Sequence, residues 1–268
     1  MFKTRLLSGI VLVIVLALVI GFGGNVLFAF TLVISLIGMY ELNKVVKVEN
    51  KLPGVVALLG GVLYYSSLFF KVESLKLASL VLALILMMAV YVFSFPKFEA
   101  NQIITSYFGL IYVAVMISYI YQARMLKSGA EGVALAVLIF ISSWGSDTCA
   151  YCVGMLLGKR KLAPILSPKK SVEGGIGGVL GAALLGCLFA FILNKTGNGS
   201  HSLLLYALIC GVGAVISMIG DLAASAIKRN HEIKDYGTLI PGHGGILDRF
   251  DSVIFTAPII YYMALYLL

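Results

Sequence analysis

Charge is what this chain has least of. Only 12% of its 268 residues are Asp, Glu, Lys or Arg, where soluble domains carry about 25%. Apolar residues make up 60% and the mean hydropathy is +1.03, a balance that excludes a water-soluble globular domain. Cysteine is also scarce. Cys149, Cys152, Cys187 and Cys210 all sit inside apolar runs, so they do not form a disulfide framework. Cys149 and Cys152 spell CxxC, but no second Cys pair or His lies nearby, and packing as reduced residues is the better account. No small-x-small cleavage pattern follows the apolar run behind Lys3 and Arg5, which favours an uncleaved first span. An internal repeat is lacking too, which weakens a transporter built from duplicated halves. Aromatic residues are not interleaved with the short basic loops, so nucleic acid is not an expected partner.

What is present is a series of apolar runs, each long enough at about 20 residues to cross a bilayer. They predict an all-α polytopic membrane protein of about nine transmembrane helices, at roughly 5–22, 25–42, 53–70, 75–95, 101–123, 131–157, 173–194, 202–228 and 250–268. The charges support that parse. With the N-terminus cytoplasmic and the C-terminus outside, fifteen of the twenty basic residues fall on the cytoplasmic side, as the positive-inside bias requires. The net charge of +8 then gives a basic face suited to anionic lipid headgroups or a soluble polyphosphate. Polar residues are unevenly shared. Residues 1–127 read as a scaffold of about five helices, and 128–268 as a catalytic domain of about four helices with two cytoplasmic loops.

Two constellations carry the chemistry. The first runs from Ser142 to Gly178. Asp147 lies deep in the sixth span, where a carboxylate needs a counter-cation, a metal or water, and Ser143 and Tyr151 share its face at four-residue spacing. Gly154 to Lys159 lacks the spacer and the Ser/Thr of a Walker loop. Ser171 is placed to cap the seventh span. The spacings of Gly174 with Gly178 and of Gly177 with Gly181 suit close helix packing. The second constellation runs from Asp221 to Ser252. Asp221, Ser225, Lys228 and Arg229 share one helical face. The run Pro241-Gly242-His243-Gly244-Gly245 suits a tight turn or a backbone approaching a ligand. Asp248, Asp251 and Ser252 follow on one face of the last span. Carboxylates that bind Mg²⁺, gathered with Lys and Arg that bind phosphate, are what phosphoryl or nucleotidyl transfer needs, with no protein nucleophile.

These residues resemble a known family. Ser225-x-x-Lys228-Arg229, Lys234-Asp235, Pro241-Gly242-His243-Gly244-Gly245 and Asp248-Arg249-x-Asp251-Ser252 are similar to the signature of phosphatidate cytidylyltransferases, the CDP-diacylglycerol synthases. Trp144, Asp147, Ala150-Tyr151, Gly154, Gly158, Lys161-Leu-Ala-Pro164, Ser167-Pro168-Lys169-Lys170 and Glu173-Gly174 resemble its second block. Ser171, where Thr is common, and Cys152, where an aromatic is common, depart from it. The likeness covers about 142–252.

The resemblance implies that CTP and phosphatidic acid give CDP-diacylglycerol and pyrophosphate at the cytoplasmic face of the cell (inner) membrane. It implies Asp221, Asp248, Lys228, Arg229 and Arg249 as catalytic residues. Ser167, Lys169, Lys170, Ser225, His243, Gly244 and Gly245 would bind phosphate, with His243 equally suited to bracing the glycine turn. Asp221 and Asp248, then Asp147 and Asp251, would hold Mg²⁺, a second cation being admitted. A homodimer is expected from the family and from the glycine-rich spans. A CTP-dependent polyprenol or lipid kinase is the nearest rival, distinguished by releasing CDP. An ion-coupled transporter is a rival of another class, disfavoured because the charges crowd one face.

Overall fold

Short polar or glycine breaks cut the apolar chain into helical rods. In the computed structural model, which describes residues 2–197, 200–242 and 244–268 and side chains from Leu7 onward, these are α1 (Phe2–Phe22), α2 (Gly24–Val45), α3 (Leu52–Phe69) and α4 (Glu73–Ser94). They continue as α5 (Ala100–Leu126), α6 (Gly129–Leu157), α7 (Val172–Lys195), α8 (Leu203–Asn230) and α9 (Leu247–Leu267). Eight are long and apolar enough to cross a membrane, and Leu7–Phe22 within α1 is a ninth, shorter apolar helix. The all-α polytopic membrane fold is therefore the observed one. The breaks have local causes. Gly23 and Gly24 take φ of 61° and 48°, the left-handed region that glycine enters without steric cost, and α1 ends there. Glu99 and Gln102 form a capping box that starts α5, satisfying amides that the first turn leaves open.

Apolar side chains face outward throughout: Phe93 on α4 is 90% exposed and Leu184 on α7 is 71% exposed. Helices apolar on all sides belong in lipid rather than water. The chain is a multi-pass membrane protein.

Two features depart from uniform α-helix. Leu110–Val115 in α5 and Ile141–Gly145 in α6 are π-helical turns, each adding a residue to the local turn. The second one breaks the expected stripe of Ser143, Asp147 and Tyr151. Ser143 is buried and donates to the Ile139 carbonyl at 2.8 Å, whereas Asp147 and Tyr151 are exposed. The segment after α6 is a small antiparallel hairpin of β1 (Lys161–Ala163) and β2 (Ser167–Ser171), with Lys161 opposite Ser171 and Ala163 opposite Ser167.

The chain forms two compact units. The first holds Met1–Ser118 and Ile233–Arg249, the second Tyr119–Glu232 and Phe250–Leu268. In the second unit α7 packs on both α6 and α8. The α6–α7 seam uses the glycine spacing noted above. A Cβ at Gly181 would lie 2.5 Å from both Cβ and Sγ of Cys149, and one at Gly177 equally close to Val153. Cys210 fills the corresponding space against Gly186, and all four cysteines are free thiols.

Gly181→Val should overpack that seam, at a cost of about 1–3 kcal/mol. Thermal unfolding of the detergent-solubilised protein should show a lower midpoint. An unchanged midpoint would mean that α6 and α7 do not meet there.

Candidate active site

In the second unit a glycine brings the carboxylates together. A Cβ on Gly220 would lie 2.9 Å from the Asp251 carbonyl oxygen and 3.1 Å from Phe255, so the bare glycine lets α8 and α9 touch. The next residue, Asp221, therefore stands near Asp251. Asp251 interacts electrostatically with Asp221, Lys228 and Asp147. The helix α8 runs unbroken to Asn230, which keeps Asp221, Ser225, Lys228 and Arg229 on one face.

The hairpin supplies the opposing charge. Lys170, on β2, forms an ion pair with Asp221, both side chains being about one quarter exposed. The hairpin is held at both ends. Glu173, in the first turn of α7, accepts from the amides of Lys159 at 3.0 Å and Arg160 at 3.2 Å. Ser171 caps α7 as the sequence predicts, accepting from the Gly174 amide at 3.1 Å. Its hydroxyl fits between Gly154 and Gly158, where added Cβ atoms would stand 3.0 and 2.7 Å away. Of the other expected phosphate ligands, Ser167 and Ser225 are half-buried, and Lys169 and Arg229 are exposed.

In the first unit the segment Ile233–Arg249 folds as a tight loop. Ile240 donates to the Gly244 carbonyl at 2.8 Å, and Gly242 and Gly244 take φ of 78° and 86°. The turn thus needs glycine at both places. Asp248 is buried, 5% exposed. Its Oδ2 accepts from the amides of Tyr236 at 2.8 Å and Gly245 at 2.9 Å. His243 lies outside the described residues. Arg249, half-buried, follows Asp248 directly.

One residue of this unit escaped the sequence reading. Glu41, near the end of α2, is 6% exposed. Its Oε1 accepts from the Ile246 amide at 3.0 Å and its Oε2 from the Leu247 amide at 2.9 Å. The available signal was an acidic residue inside an apolar run, which implies a buried partner by default. Nothing in the local pattern names a partner 205 residues away.

Among the described residues, no three His, Cys, Asp or Glu side chains form a ready-made metal cage. The arrangement is of hard carboxylate oxygens offset by ammonium groups. That suits Mg²⁺, which takes one or two carboxylates and completes its shell with substrate phosphates and water.

The sequence matches the cytidylyltransferase family over residues 3–267. Among curated proteins it is similar to the phosphatidate cytidylyltransferase of Staphylococcus saprophyticus, 31% identical over 96% of this chain and 97% of the relative. It is also similar to that of Bacillus subtilis, 31% identical over 97% of each chain, and that of Staphylococcus haemolyticus, 30% identical over 96% and 97%.

Gly244→Ala should force an L-residue into the left-handed region, at about 1–2 kcal/mol. It should also press a methyl group within 2.7 Å of Asp248 Oδ2. Limited proteolysis should then cut the 233–249 loop faster than in the parent protein. Equal cleavage rates would contradict the turn described.

Proposed function

The chain belongs to the cytidylyltransferase family, and from that premise we propose that it condenses CTP with phosphatidic acid, giving CDP-diacylglycerol and pyrophosphate. The observation that carries this reading at the level of chemistry is the pairing of Lys170 with Asp221 beside Asp251, Asp147 and Lys228. Acidic oxygens and ammonium groups are gathered there in a chain of which only 12% of the residues are charged.

The bond changes are simple. A phosphate oxygen of phosphatidate bonds to the α-phosphorus of CTP. The bond from that phosphorus to the bridging oxygen of the β-phosphate breaks in line, and pyrophosphate leaves with the electron pair. Both substrates are anions, so the protein's task is to bring them together against their repulsion. Lys169, Lys170, Lys228, Arg229 and Arg249 are proposed to hold the triphosphate, the lipid phosphate and the departing pyrophosphate. Ser167, Ser225, Gly244, Gly245 and His243 are the proposed neutral or turn contacts to phosphate. Lys170 would exchange Asp221 for a phosphate oxygen as substrate enters.

Mg²⁺ is the proposed cofactor, with a second cation admitted. Asp221 and Asp248 are the first residues proposed to hold it, Asp147 and Asp251 the next. When bound, it supplies neutralisation of charge on the phosphate oxygens. That Asp221 already holds an ammonium cation supports its place in this set.

The basic loops support a cytoplasmic active site in the cell (inner) membrane, with the N-terminus inside and the C-terminus outside. A homodimer is proposed from the family resemblance alone. The α7 glycines that suggested helix association are used within the chain, against Val153, Cys149 and Ala150 of α6.

Purified protein in liposomes should release pyrophosphate only when CTP, phosphatidate and Mg²⁺ are all present. Asp248→Asn and Lys170→Ala should each lower kcat/KM by at least about tenfold, or ~1.4 kcal/mol of transition-state stabilisation. Release of CDP in place of pyrophosphate would make the protein a lipid kinase. Absence of CTP turnover by folded protein would overturn the enzymatic reading.

A further inference from the structure

We propose that Glu41 is a positioning residue for cytidylyl transfer. It holds the 233–249 loop closed from α2, so that Asp248 is presented in one fixed geometry. The proposal deepens the reaction assigned above and rests on it.

Glu41 reaches the loop because α2 and the start of α9 pack closely. One turn earlier on α2, Gly38 has no side chain, and a Cβ there would lie 3.1 Å from Leu247 Cδ2 and 2.9 Å from Val113. The missing side chain lets the start of α9 settle against α2, and the Glu41 carboxylate arrives at the first amides of that helix. Each oxygen takes a different donor, Ile246 N–H and Leu247 N–H. Amides at a helix N-terminus have no intrahelical acceptor, and a carboxylate there also complements the helix dipole. The loop is shaped around this group: a Cβ at either Gly237 or Gly245 would run into the Glu41 carboxylate.

Asp248 closes the same turn from the other side, taking the amides of Tyr236 and Gly245. Glu41 and Asp248 interact electrostatically, and both are buried. Two carboxylates this close are tolerated because four backbone amides of one short segment are divided between them. Opening the loop would strip donors from both charges at once, and a buried charge without its partners is strongly disfavoured. Asp248 is therefore oriented by a network whose other anchor lies in the N-terminal half of the chain.

Glu41→Gln tests this directly. A carboxamide has one acceptor oxygen and one donor nitrogen, so it can serve one of the two amides and must oppose the other. Steady-state kinetics with CTP and phosphatidate should show kcat lower by at least about tenfold, with both KM values within about twofold of the parent. That is the pattern of misplaced chemistry rather than lost binding. Hydrogen–deuterium exchange should rise at least about tenfold in peptides covering 233–249, with α2 and α3 unchanged. Gly237→Ala, which pushes on the same carboxylate from the loop, should give the same two results and replaces the first variant if that one does not fold. Unchanged kcat with unchanged loop exchange would overturn the proposal. So would faster exchange spread through α2 and α3, which would make Glu41 a packing residue only. Asp248→Asn measured alongside separates the two claims. Its full activity would overturn the active-site reading itself, whereas full activity in Glu41→Gln alone would overturn only the positioning role.

Discussion

A carboxylate buried in an apolar protein must be met by donors, and backbone amides meet the two buried ones among the described residues. Glu41 and Asp248 together take the amides of Tyr236, Gly245, Ile246 and Leu247. Hydrogen bonds to charged groups contribute about 1.5–3 kcal/mol each. The loop also buries Tyr236, Ile246 and Leu247, while its glycines raise the entropy lost on ordering. Its shape depends on the charges it encloses together with that apolar burial. The same constraint explains why Gly237, Gly244 and Gly245 lack side chains: each lies where a Cβ would meet one of the two carboxylates.

The second unit solves a related problem by different means. There the carboxylates of Asp221, Asp251 and Asp147 are offset by side-chain cations, Lys170 and Lys228. Side-chain ion pairs can re-form with other partners, whereas amides fixed in a turn cannot move independently of it. In the proposed reaction the amide arrangement would serve positioning and the ion-pair arrangement charge stabilisation, the two requirements of phosphoryl chemistry. Small residues make the exchangeable part possible. Gly220 lets α9 approach α8, and the glycine seam of α7 lets α6 approach closely enough for Ser171 to sit between Gly154 and Gly158.

Among the described residues, the eight helices long enough to span a membrane were legible in the sequence because each is an apolar run of the length that bilayer thickness requires. The Ser171 cap and the close packing of Gly177 and Gly181 were legible for a similar reason, since both follow from spacing along one or two helices. The π turn at Ile141–Gly145 was not, because inserting one residue leaves no mark in hydropathy, and it separated Ser143 from Asp147. The hairpin at Lys161–Ser171 was hidden by its shortness and by Pro164 and Pro168. Glu41 was hidden by sequence distance. Periodicity relates residues that share an element, and the Glu41 contact joins the end of α2 to the start of α9.

The central claim is that lipid phosphate attacks the α-phosphorus of CTP on this protein. Phosphatidate labelled with ¹⁸O in its phosphate group, turned over with unlabelled CTP and analysed by mass spectrometry, tests that claim at the bond it concerns. The account predicts that all of the label is retained in CDP-diacylglycerol and that pyrophosphate carries none. Label in the released pyrophosphate, or CDP as the nucleotide product, would contradict it.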